Sequence, residues 1–188
     1  MTESEKTVLR ADRLFDGIRT TPRTHSALLL NEERIEAVGP AKEIEQAAGP
    51  TAPTINYGDA CLSPGLIDGH THTTLAGDGR PYADLFRETD EIMALVGVKN
   101  LLAHLRSGVT TVREHGSRNL LGFTLREGLQ RGYFSGPRML VSGRPITQPN
   151  GHFYFCNGTA QTEEDIRAAI RQLVSEGAAY IKLMAVSY

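Results

Sequence analysis

Two histidines one residue apart, His70 and His72, follow the apolar pair Leu66-Ile67 in the segment SPGLIDGHTHTTL, residues 63–75. Residues i and i+2 of a strand point to the same side, so a strand ending here projects both imidazoles together and turns Thr71 away. Paired imidazoles chelate a divalent ion at ~2.0–2.1 Å each. A bare His-x-His is equally a feature of ordinary hydrogen-bonded loops, and the motif alone leaves both readings open. Lys182 lies in the middle of the apolar run AAYIKLMAV, residues 178–186. A free ammonium in a buried strand is expensive unless it is paired, neutralised or chemically altered. Snorkelling from an edge strand is the alternative.

Two more imidazoles stand near expected strand ends, where α/β enzymes carry their reactive groups. His152, in PNGHFYF (149–155), and His115, in VREHG (112–116), are candidate substrate contacts. Phe153, Tyr154 and Phe155 are candidates to line an apolar pocket, and one of Arg113 and Glu114 is expected to pair locally. Asp68 would share the face of the histidine pair, and a structural hydrogen-bonding role suits it better than metal ligation. His104, on a helix, and His25, in a turn, are expected to be solvated. Cys61 and Cys156 form no Cys-x-x-Cys pattern and read as reduced, packed thiols.

The elements that must position these residues fall into two stretches. Residues 1–60 read as a small β-rich segment: TVLRADRLFD, HSALLLNEERIEAVG and PTINYGDACLSPG are β-type runs broken by Asp16-Gly17, Asn31-Glu32, Gly39-Pro40 and Tyr57-Gly58-Asp59. AKEIEQAAG between them predicts one short helical turn. From residue 61 the rhythm alternates strand and helix. Strand candidates are CLSPGLIDGHTH, GVTTVREHG, PRMLVSGRPI and AAYIKLMAV. The helix TDEIMALVGVKNLLAHLRSG is predicted to present Ile92, Val96, Lys99, Leu102 and Leu105 to the sheet, and NLLGFTLREGLQRG is the second helix. TEEDIRAAIRQLVSEG is capped by Thr162, with Ile166, Ile170, Leu173 and Val174 on its apolar face. Four successive strands, with helices between them, predict a parallel sheet, either doubly wound or closed as a barrel. No G-x-G-x-x-G opens a helix, which disfavours the nucleotide-binding version.

The chain has 188 residues, 40% hydrophobic and 22% charged, with a net charge of −2. That is the profile of a globular α/β protein rather than a disordered one. No basic stripe invites nucleic acid, and no window approaches the roughly 18 apolar residues of a membrane span. The polar N-terminus MTESEKTVLR lacks a signal-peptide apolar region, which predicts a cytoplasmic protein.

SPGLIDGHTH, preceded by ERIEAVG at 33–39, resembles the amidohydrolase superfamily. GVTTVREHG, GPRMLVSGRPIT, PNGHFYF and YIKLMA resemble its imidazolonepropionase-like and prolidase-like branch. The resemblance implies the first half of a (β/α)8 TIM-type barrel preceded by a small N-terminal β-sandwich segment, with residues 61–188 as an apparently truncated half-barrel. It implies that His70 and His72 bind one metal and that Lys182, carboxylated to a carbamate, bridges two divalent ions, zinc being the expected one. The implied reaction is hydrolysis of an amide-type C–N bond of a small-molecule substrate. The remaining histidine ligands and the proton-moving aspartate would come from strands beyond Tyr188. A single-metal deaminase and a non-catalytic half-barrel acting in a homo-oligomer or with a second polypeptide are the alternatives.

Overall fold

The computed structural model describes residues 6–81, 84–85 and 87–185. It divides into two compact units, Met1–Pro64 and Gly65–Tyr188. In the first, β1 (Lys6–Leu14), β2 (Arg23–Asn31) and β3 (Arg34–Pro40) form an antiparallel meander. Strands β4 (Thr54–Asn56) and β5 (Cys61–Leu62) run parallel to β1. The β2–β3 hairpin closes through Glu32, whose φ of +54° lets a short loop follow the strand twist. Val8, Ala27 and Leu29 bury one face beneath Ala41 and Ile44 of α1 (Ala41–Ala48). The single turn expected at AKEIEQAAG is a full two-turn helix, because Ala41 and Ile44 recur at helical spacing and have an apolar sheet to cover.

The second unit is a parallel sheet in the order β6-β7-β8, made by β6 (Leu66–Thr71), β7 (Val109–Glu114) and β8 (Arg138–Val141). Helices α2 (Asp90–Arg106) and α3 (Leu121–Gln130) are the crossovers, and α4 (Glu163–Ser175) follows β8. The core joins Leu101, Val112, Phe123, Leu125, Met139, Val141, Ile146 and Leu173. Leu66 and Ile67 on the edge strand β6 are 60% and 69% exposed. Among the described residues, no helix is long and apolar enough to cross a membrane.

Two sequence expectations are corrected here. Helix α2 buries Met93, Gly97 and Leu101, whereas Lys99 and Ile92 are exposed. The rotation is set by Asn100, which donates to the carbonyls of Thr73 (2.9 Å) and Leu75 (2.8 Å), and by Gly97, where a Cβ would meet Leu125 Cδ1 at 2.4 Å. The expected fourth strand, up to Ala185, is a single parallel bridge, Ile146 to Leu183, although the flanking bonds Ala179 N–H to Val141 O and Met184 N–H to Ile146 O keep it beside β8. Gly143, at φ +74°, and Pro145, which has no N–H, interrupt the partner edge and prevent a continuous ladder. Val186, the last residue of that run, lies outside the described residues.

The Thr162 cap forms as a capping box: Thr162 Oγ1 accepts from Asp165 N–H (3.1 Å), and Asp165 Oδ2 accepts from Thr162 N–H (3.0 Å). Val174, however, is 60% exposed, so the buried face of α4 centres on Leu173. Thr162→Ala is expected to cost about 1 kcal/mol, measurable as a lower urea midpoint with an unchanged m-value.

Candidate metal centre

The three parallel strands bring their C-terminal ends to one side, and three imidazoles gather there. His70 is the next-to-last residue of β6, with its N–H donating to Asp68 Oδ1 at 3.0 Å. His72 lies one residue past the strand. Their ring centroids are 5.4 Å apart with the planes at 65°. His115, just beyond β7, stacks on His70 at 4.1 Å and 19°. The bond from His115 N–H to Thr71 O (2.8 Å) carries the β6–β7 ladder past the strand ends and brings the rings together.

His72 is held from two sides. Its Nδ1 lies 3.3 Å from Gly116 O, a contact that becomes a hydrogen bond when the proton sits on Nδ1, leaving the Nε2 lone pair available. Its ring packs against Phe153 at 4.5 Å. Burial pushes its pKa down to about 4; the Gly116 carbonyl partly opposes this, and the positive charges of His70, Lys182 and His115 add to it. The imidazole is therefore neutral at pH 7, the form that ligates metal. His115 is shifted downward too, by burial first and then, against the bond to Arg113 O, by His70 and Lys182. Lys182 thus lies close enough for its charge to act on both rings.

Tyr180 completes this side. Its hydroxyl donates to Glu114 O (2.7 Å) and lies 2.9 Å from His115 Nδ1, and the Arg113 guanidinium covers its ring at 4.4 Å. His152 is exposed and meets Phe153 edge-on at 4.7 Å, so one aromatic ring separates it from His72. Phe153 adopts φ +62°, a conformation that a bulky non-glycine residue rarely takes. Phe153 and Phe155 are buried with Cys156, while Tyr154 points outward at 40% exposure.

Several residues differ from expectation. His104 is not simply solvated: its Nε2 lies 3.4 Å from Asp68 Oδ2 and its Nδ1 2.9 Å from Asn100 O. Asp68 is accordingly occupied by His70 N–H and His104. Cys156 is buried, but Cys61 is exposed. Of Arg113 and Glu114, one of which was expected to pair locally, Arg113 covers the Tyr180 ring, and Glu114, given no site role from the sequence, is fully buried at the end of β7. One signal was available: Glu114 alternates with Val112, which puts a carboxylate on the apolar side of the strand.

The donor chemistry suits a divalent ion in part. Two adjacent imidazoles, one oriented by a backbone carbonyl through its second nitrogen, are an arrangement common around bound metals. Among the described residues, no group of three His, Cys, Asp or Glu side chains is gathered to hold an ion.

Imidazoles clustered at the C-terminal ends of parallel strands define the site of an α/β enzyme. Comparison with known proteins narrows that class. The model of the amidohydrolase family matches residues 61–187, and the chain belongs to this family, whose members are metal-dependent hydrolases acting on carbon–nitrogen bonds. An imidazolonepropionase of Haloarcula marismortui is 29% identical over 143 residues, covering 60% of this chain and 34% of that protein. A Xaa-Pro dipeptidase crystallised with methionine in its active site has a TM-score of 0.81 at 24% identity, covering 95% of this chain and 46% of its own. The A. niger ochratoxinase has a TM-score of 0.81 at 21% identity, covering 99% and 48%. At these identities the structural likeness is one of fold. The chain spans about a third of the curated relative and about half of each solved structure.

Proposed function

We propose that this protein is a metal-dependent amidohydrolase of the prolidase-like or imidazolonepropionase-like kind, cleaving an amide-type C–N bond of a small molecule. The observation that carries the reading is the convergence of His70 and His72 at a strand end within reach of the Lys182 charge. In this reading the sheet is part of a (β/α)8 barrel in which further strands cover the exposed Leu66 and Ile67 edge.

His70 and His72 would hold one divalent ion, with zinc the first choice for imidazole donors, and Lys182, as a carbamate, would join it to a second. When bound, such an ion pair activates water and polarises the substrate carbonyl. The chain's own residues act around that centre. Gly116 O keeps His72 in one tautomer, Phe153 excludes water from one face of its ring, and His115 and His152 stand where they would meet the substrate. Tyr180 fixes His115 by its hydroxyl. Carboxylation would suit Lys182 to that centre, because it replaces an ammonium, which bound cations would repel, with an anion that they attract.

Metal analysis and intact mass of the protein prepared in bicarbonate and zinc test this reading. Two ions per chain and a mass increment of one carbon dioxide that disappears in Lys182→Ala are expected. A protein that takes up neither metal nor carbon dioxide contradicts it. A Lys182→Ala variant that keeps all of the metal points to a single-metal centre instead.

A further inference from the structure

The interior carboxylate of Glu114 plays no part in the reading above, yet it is tied to the metal-binding edge through a single residue, Gly116. We propose that Glu114 is a positioning residue that fixes the orientation and tautomer of His72 through Gly116, whose N–H it accepts and whose carbonyl holds His72 Nδ1. Its functional meaning rests on the metal reading, but its geometry does not.

The chain of contacts is short. Glu114 Oε2 accepts from Gly116 N–H at 3.2 Å, and Gly116 O, across the Cα of the same residue, lies 3.3 Å from His72 Nδ1. Gly116 has little room to respond by moving away. Its φ is +138°, and a Cβ there would meet the ring of Pro145 at 2.2 Å. The carboxylate is held just as firmly. It is fully buried and also interacts with the Thr73 backbone and the Ser117 side chain, while Ser117 Oγ accepts from Gly122 N–H (2.9 Å) at the start of α3. A shift of Glu114 would therefore displace the carbonyl that orients His72, rather than being absorbed by the loop.

Energetics support a role beyond packing. A buried glutamate is costly, and Glu114 Oε1 has no hydrogen-bond partner among the described residues. A methionine of similar volume would fill the space without that cost. What the Glu114 side chain adds is an acceptor for Gly116 N–H, which fixes the residue whose own carbonyl faces His72 Nδ1.

Imidazole nitrogen NMR on the wild-type protein, with cobalt as the probe ion, tests the proposal. In the metal-free protein His72 is expected to carry its proton on Nδ1, and a proton on Nε2 would overturn the proposal outright. Glu114→Met is expected to move His72 toward the Nε2–H form and to weaken cobalt binding about 10–100-fold. Glu114→Gln keeps a carbonyl acceptor and should rescue affinity to within about fivefold of wild type. Unchanged tautomer and affinity in a folded Glu114→Met protein count against the proposal. Should that variant fail to fold, Glu114→Asp, whose carboxylate stops short of Gly116, takes its place with the same expected shift. Wild-type protein that binds no cobalt would overturn the metal reading alone, because the tautomer measurement would still decide the role of Glu114.

Discussion

Gly116→Ala is expected to destabilise the protein by about 3 kcal/mol or more, combining a glycine-only backbone conformation with a core clash. The φ of +138° at this position lies outside the regions that a Cβ tolerates, and the added methyl would lie 2.2 Å from Pro145 Cγ. Pro145 is fully buried and cannot swing aside. Relief would require moving Gly116, whose N–H and carbonyl carry the Glu114 and His72 contacts, so the cost falls on the site as well as on the fold. Gly132→Ala is the control: its φ of +72° is also left-handed, but nothing lies within 4 Å of the new methyl. Only backbone strain remains there, about 1 kcal/mol. Urea denaturation of the two variants side by side checks this. Equal midpoints would show that Pro145 yields.

The second large effect is a pH dependence. Burial raises the Glu114 carboxyl from 4.5 to about 8, against the Gly116, Thr73 and Ser117 hydrogen bonds that favour its ionised form. Between those values the folded protein keeps a proton that the unfolded chain releases, so stability falls with rising pH, by ~1.4 kcal/mol per unit at most. His72 acts in the opposite sense. Its pKa is about 4 in the fold against 6.5 unfolded, so the unfolded chain holds the extra proton in that interval and stability rises with pH. His115, also lowered, adds to that rise. The opposing slopes largely cancel from pH 4.5 to 6.5, and Glu114 acts unopposed from 6.5 to about 8. Metal-free protein is thus expected to lose about 2 kcal/mol of stability over that window. Glu114→Gln should flatten the profile above pH 6.5. Urea titrations at pH 6.5, 7.2 and 8, each with chelator present, measure the slope, and a flat wild-type profile would mean that Glu114 is ionised in the fold.

These effects centre on a residue for which the local pattern gives conflicting signals, and the reason is physical. Glu114 follows Arg113, and adjacent opposite charges read as a solvated pair. Alternation with Val112 places it on the apolar side of the strand, and its neighbours Thr73, Gly116 and Ser117 complete the interior position. The histidine pair was legible because period-two geometry and a strand end suffice to bring His70 and His72 together. Strand β7 was legible for a similar reason: its β-branched run leaves few alternatives to a buried strand. Helix α2 was not, because apolar residues occur around most of its circumference, from Ile92 and Met93 to Leu102 and Leu105. Periodicity then fixes the existence of the helix but not its rotation, which Asn100 and Gly97 settle through tertiary contacts. Likewise the run around Lys182 has strand character, but a strand also needs a continuous partner, and the Gly143–Pro145 interruption lies in another part of the sequence.

The two sheets also differ in how their strands are joined, and this sets an order in time. In the first unit β2 and β3 pair across a tight turn, where Asn31 meets Arg34, and such hairpins close in about 1–10 μs. In the second unit Leu66 must find Val109, and Thr111 must find Arg138, each across an intervening helix. The loop-closure entropy comes due before any of those contacts can repay it. The imidazole cluster is therefore a late product of folding, assembled only after the slow parallel pairings have brought the ends of β6 and β7 together.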